Sequence, residues 1–143
     1  MIKKAFLSIF ILLFSSNLSA EIVKEILIEG NSRVSEETIK VYGDIKINKE
    51  ISESEINNIL ENLYSTEFFE DVKIELNKNI LKINLKEYPV INQLIITGEK
   101  KKGNVEEIKK LINLKEKKSF IRAYLSKDIE TIKKLYSKKL LKG

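Results

Sequence analysis

Apolar and polar positions follow two periods along the chain, and each predicts its own kind of element. Residues 22–31, IVKEILIEGN, are rich in β-branched side chains and end at Gly30-Asn31, which predicts a strand closed by a turn. VSEETIKVY, residues 34–42, reads as a short helix with Ser35 as its N-cap and acids in its first turn. Gly43 is expected to close that helix, with DIKINKE as a connecting loop. From Ser52 the period is 3.6: Ile56, Ile59, Leu60, Leu63 and Tyr64 fall at i, i+3, i+4, i+7 and i+8, one face of a second helix. Ser52 and Glu55 have the spacing of a capping box, in which each side chain satisfies the other's backbone N–H.

The period then switches to two. Val72, Ile74 and Leu76 alternate with Lys73 and Glu75, and after NKN, Leu81, Ile83 and Leu85 alternate with Lys82, Asn84 and Lys86. Placing Asn77 opposite Ile80 pairs Leu76 with Leu81, Ile74 with Ile83 and Val72 with Leu85. The same register sets Glu75 against Lys82 and Asp71 against Lys86. One register that satisfies both the apolar and the charged pairs predicts a β-hairpin. Lys78-Asn79 is not the preferred Asn-Gly turn, so a longer loop in that register is the alternative.

After Pro89 the order begins again. INQLIITGEK parallels VKEILIEGNS, with Gly98 68 residues after Gly30. NVEEIKKLI repeats the short helix, with Asn104 and Glu107 as a weaker box, and SKDIETIKKLYSKKLLKG repeats the longer one. A period of about 70 residues is that of a domain repeat rather than a solenoid. The expected organisation is a first β-α-α-β-β unit over 21–90 and a second over 91–143 that stops before its hairpin. A β-α-α segment without partner strands leaves sheet edge and helix surface uncovered, so the chain reads as part of a longer one.

The first twenty residues stand apart. A basic head (MIKK), a ten-residue apolar run and a small polar tail (SSNLSA) have the layout of a secretory signal peptide, too short to span a bilayer comfortably. Cleavage is expected between Ala20 and Glu21, although Leu18 is larger than the residue usual at that position. The alternative is an uncleaved anchor. Residues 21–91 hold 9 basic and 15 acidic side chains and residues 92–143 hold 15 and 6, so a net charge of −6 is followed by one of +9. Only two arginines occur and aromatics do not interleave the lysines. The basic half therefore reads as solvated helix faces and not as a nucleic-acid platform.

Chemistry is sparse. The chain has neither His nor Cys, so zinc sites and nucleophile–base pairs lack their usual parts, and an exported chain would gain no disulfide support. No glycine-rich phosphate loop occurs. LYSTEFFEDVKIEL, residues 63–76, packs Glu67, Glu70 and Asp71 into five positions. Glu70 and Asp71 are adjacent at a strand's start, so their side chains diverge, and no ion-wrapping loop surrounds them. The expected reading is that Phe68 and Phe69 wedge the corner into the core while the acids stay wet. No catalytic residue, metal ligand or cofactor site is predicted.

The order β-α-α-β-β, with IEGN after the first strand, LYSTEFFEDVKIEL running from helix into second strand and LKEYP closing the third, resembles a POTRA domain. The family's corner commonly reads Leu-Tyr-x-x-Gly-x-Phe-x-x-Val. Leu63, Tyr64, Phe69 and Val72 match it, Glu67 stands where Gly is usual, and the closing Glu-x-Pro is Glu87 and Pro89. Tandem copies behind a signal peptide resemble the amino-terminal region of BamA-type outer-membrane assembly factors. The resemblance implies an α+β fold, a three-stranded mixed sheet covered by two helices with the second strand at an edge. That edge, Asp71, Val72, Lys73, Ile74, Glu75 and Leu76, would bind partners by strand addition. The implied partners are unfolded outer-membrane proteins and accessory lipoproteins of an assembly complex, without nucleic acid, and with membrane contact only through a carboxy-terminal barrel missing from these residues. The implied location is the cell outer membrane, with this segment in the periplasm. The alternatives are the POTRA region of a two-partner-secretion or related barrel transporter, a cell-division POTRA protein, and a free-standing periplasmic holdase.

Overall fold

The computed structural model describes residues 21–141. The expected signal peptide, with Ala20, lies outside the described residues, and Glu21 opens the first strand. In chain order the elements are β1 (Glu21–Ile22), β2 (Glu25–Glu29), α1 (Glu36–Gly43), β3 (Glu50–Ile51), α2 (Glu53–Ser65), β4 (Phe69–Asn77), β5 (Ile80–Glu87), α3 (Lys102–Leu111) and α4 (Arg122–Leu140).

Three strands form a mixed sheet in the order β2-β5-β4, with β2 parallel and β4 antiparallel to the central β5. The hairpin has the register that the alternating pattern predicts, including Glu75 opposite Lys82 and Asp71 opposite Lys86. Its turn is the two-residue form: Lys78 and Asn79 have φ of 50° and 66°, the left-handed pair that matches strand twist. Side chains of α1, α2 and the sheet meet in one apolar cluster, where Ile39, Leu63, Leu81 and Ile83 are fully buried. The fold class is α+β, as the element order implies.

The first predicted strand divides in two. Val23, fully buried, separates β1 from β2, and β1 pairs with β3, which begins at the last residue of the expected connecting loop. The capping box of α2 is formed: Glu55 N donates to Ser52 Oγ at 3.3 Å and Ser52 N donates to Glu55 Oε2 at 2.9 Å. Ser35 caps α1 through its hydroxyl, but Gly43 remains helical. Asp44, at φ 51°, is the left-handed cap in its place. Gly43 earns its place by space, because a Cβ there would lie 2.8 Å from the side chain of Ile45.

Residues 91–98 do not form the strand that their apolar pattern predicts. A strand needs a neighbour, and β2 has one in β5, whereas no described strand runs beside 91–98. The chain there is tied instead by the bridge Val90–Ser119 and by bonds from Ile91 N to Lys118 O (2.9 Å) and from Phe120 N to Pro89 O (2.7 Å). The two turn glycines show the same contrast. Gly30 and Gly98 share left-handed φ values of 87° and 85°, yet a Cβ on Gly30 would sit 2.0 Å from Leu85 O while one on Gly98 meets nothing within 4 Å.

Both later helices begin earlier than predicted. The expected box at Asn104 and Glu107 does not form, since α3 starts at Lys102 with no side-chain cap. Asn104 Nδ2 donates to Glu99 instead, and Glu107 accepts Lys139 Nζ at 2.6 Å. A buried carboxylate joins α4 to the loop after α3: Asp128 accepts from Asn113 N and Nδ2, both at 2.7 Å, and from Leu114 N at 2.8 Å.

Candidate functional site

The corner between α2 and β4 is built from short-range bonds. Thr66 Oγ1 donates to Leu63 O at 2.6 Å and accepts from Phe68 N at 3.2 Å, turning the chain out of the helix. Glu67, at the position where the family's motif has Gly, holds φ 58°, the left-handed conformation that favours glycine. Phe69 is buried, and Phe68 lies partly buried with its edge against Tyr42, ring centroids 5.9 Å apart.

The three acids go to three different partners. Glu67 accepts the hydroxyl of Tyr124, Glu70 pairs with Lys86 at 2.7 Å, and Asp71 lies 3.6 Å from Lys73 Nζ. Among the described residues no three His, Cys, Asp or Glu side chains are grouped so as to hold a metal ion.

β4 is an outer strand of the sheet, and so is the shorter β2, a second edge that the sequence pattern did not single out. Alternation decides which backbone groups of β4 are open. A two-residue turn makes Asn77 and Ile80 a pair that exchanges both bonds, and such pairs recur every second residue. Glu75, Lys73 and Asp71 therefore face β5, while Val72, Ile74 and Leu76 turn their N–H and C=O groups away from the sheet. The Val72 N–H confirms this direction by donating to Tyr64 Oη at 3.0 Å. The same hydroxyl donates to Asp71 Oδ1 at 3.5 Å. At its start the strand is also irregular, with a shift of register between Phe69 and Asp71. The side chains of Lys73 and Glu75 are exposed, and those of Ile74 and Leu76 are half-buried against the core cluster.

The third strand's closing motif has a structural use. Glu87 reaches back to the turn after β2 and accepts N–H groups from Ser32 (2.8 Å), Arg33 (3.0 Å) and Val34 (3.0 Å), with Arg33 Nε at 3.0 Å. Burial pushes this carboxyl up, but the three N–H bonds and the Arg33 charge outweigh it and hold the group below the ordinary glutamate value. Family resemblance alone marked Glu87 as a motif residue, and its partners 53 to 55 positions away were not visible in the sequence.

Residues 89–139 match the POTRA family, described as "Surface antigen variable number repeat". Over 92 residues the chain is 30% identical to the outer membrane protein assembly factor BamA of Neorickettsia risticii (strain Illinois), covering 64% of this chain and 12% of that protein. Over 141 residues it is 28% identical to BamA of Buchnera aphidicola subsp. Acyrthosiphon pisum, covering 95% and 23%. The chain thus spans 12–23% of the length of these relatives. In three dimensions it is similar to the N-terminal domain of Omp85 from Thermosynechococcus elongatus, with a TM-score of 0.56, 17% identity, and 84% of this chain and 52% of that one covered. POTRA1-2 of the periplasmic domain of Omp85 from Anabaena gives a TM-score of 0.51 at 13% identity over 85% of this chain and 82% of that one. The fold is that of POTRA domains. The particular kind is the BamA type, and this chain carries a BamA-type POTRA region. Among the described residues no helix is long and apolar enough to cross a membrane.

Proposed function

We propose that residues 21–90 and 91–143 are two successive POTRA units serving, in the periplasm, an outer-membrane β-barrel assembly factor. In this reading they bind rather than catalyse. They receive unfolded outer-membrane proteins, dock accessory lipoproteins, and pass the clients to a barrel in the outer membrane. The observation that carries the proposal is the outer position of β4, whose backbone offers a ladder to an extended segment. Main-chain bonds ask little of the client's sequence, which suits a receptor for many barrel precursors. Each contributes only about 0.5–1.5 kcal/mol net, so clients dock weakly and leave readily. The charges of Lys73 and Glu75 oppose indiscriminate pairing of this edge with other copies.

The test is photo-crosslinking with a reactive side chain placed at Glu75 or, as a control, at the exposed Glu53 on α2. An outer-membrane β-barrel protein held unfolded in urea and then diluted should label from position 75 and not from 53, and the same protein folded in detergent should label from neither. Equal labelling from both positions would remove β4 as the receiving edge.

A further inference from the structure

The edge of β4 is open along only part of its length. Its outward-facing positions are Val72, Ile74 and Leu76, and the first of these already has a partner. Tyr64, from the last turn of α2, sets its hydroxyl against the Val72 N–H at 3.0 Å and donates onward toward Asp71 at 3.5 Å. The hydroxyl is thus both acceptor and donor at the edge, and the register shift between Phe69 and Asp71 disturbs the ladder just beyond it. No hydrogen bond reaches Ile74 or Leu76 from the outer side among the described residues.

We propose that Tyr64 is a register stop for strand addition. An incoming extended segment pairs with Ile74 and Leu76 and ends where the tyrosine hydroxyl occupies the next rung. Without such a stop, a uniform edge would accept the same client in registers displaced by two residues, since each displacement preserves the face on which side chains lie. With it, the segment is seated at the hairpin-tip end of β4 and only one register fills both open rungs. Tyr64 acts through Val72, as a positioning residue for the client. The inference rests on β4 being the receiving edge.

Tyr64→Phe removes the hydroxyl and keeps the ring. The probe is a synthetic seven-residue peptide of alternating threonine and valine with a lysine at each end, titrated into the isotope-labelled chain and followed by amide NMR. In the free wild-type protein the Val72 amide should exchange slowly and the Ile74 and Leu76 amides quickly; in Tyr64→Phe the Val72 amide should exchange quickly too. Peptide should shift Ile74 and Leu76 in the wild type, and Val72 as well in the variant, with affinity raised about 2- to 12-fold by the added rung. If the variant binds with unchanged affinity and Val72 stays unshifted while Ile74 and Leu76 respond, the register stop is overturned and strand addition stands. If no β4 amide responds in either protein, both are overturned.

Discussion

The hydroxyl of Tyr124 donates to the carboxylate of Glu67, across 57 positions of sequence, and Glu67 is held at φ 58° where the related motif has glycine. The side chain that strains the corner is therefore the one that ties it to the start of α4. A glycine would relax the backbone and lose the tie. Left-handed conformation costs a non-glycine residue roughly 1–2 kcal/mol. Glu67→Gly should stabilise the α2–β4 corner by up to about that amount, read by urea unfolding, while loosening the orientation of α4 relative to α2, read by residual dipolar couplings. A variant in which both quantities stay at wild-type values would show that the bond positions nothing.

The same pair gives an optical signal. The Glu67 hydrogen bond, helped by desolvation, raises the Tyr124 phenol above its ordinary value. An upward shift favours the protonated hydroxyl, so the tie is whole at neutral pH and fails as the pH rises through the shifted value. Absorbance titration of Glu67→Gly should show one tyrosine returning toward the ordinary pKa of about 10.

Glu87 predicts an acid transition. Its folded carboxyl lies below its unfolded value, so its contribution is complete above about pH 4.3 and fades as the pH falls through the lower folded value. Glu87→Gln places an amide against three N–H donors and should lose about 1–3 kcal/mol at neutral pH. The variant's stability should also change less with pH below 4 than the wild type's, as followed by chemical denaturation across a pH series.

The two turn glycines separate strain from collision. Gly98→Ala meets open space and should lose only the roughly 1–2 kcal/mol of a left-handed alanine. Gly30→Ala adds a clash with Leu85 O at 2.0 Å and should be the more damaging by a wide margin, measured as the difference in melting temperature. Equal losses would mean that the β2 turn has room to shift away from β5.

Proline scanning of β4 should be alternating in effect. Lys73 faces β5, so Lys73→Pro removes a sheet bond and clashes within the ladder, unfolding the unit. Ile74 faces outward, so Ile74→Pro spares the ladder and removes an open donor. Circular dichroism should show a folded Ile74→Pro and a disrupted Lys73→Pro. The opposite ranking would reverse the assignment of open and closed positions.

What was legible in the chain was local. The α2 capping box joins residues three apart, and the hairpin register follows from charge and apolar pairs on either side of a two-residue turn, so both could be read from spacing. The outer position of β4 followed from resemblance to a family, because no pattern in 71–76 says which strand will flank it. Residues 91–98 have a strand's composition but no strand, since pairing is decided by a neighbour and not by the segment. The Tyr64–Val72 bond went unseen for a different reason: Tyr64 continues the apolar face of α2, and its period gives no hint that the ring's far end serves the sheet. Glu87 and Asp128 each satisfy backbone donors far along the chain, a use that no spacing rule reveals.

β5 pairs with both other strands of the sheet yet comes last of the three in the chain, and its first residue, Ile80, takes its place beside Glu25, 55 positions earlier. A chain delivered amino end first can cap and form α1 and α2 from local bonds and pair β1 with β3, but its three-stranded sheet cannot be completed until β5 arrives. Closure over such separations is slow compared with helix formation. During that interval Leu63 and Ile59 have no sheet to cover them, and β4 is open on both sides. The unit that is proposed to shelter unfinished strands must itself pass through that condition, and the delay is written into the order of its strands.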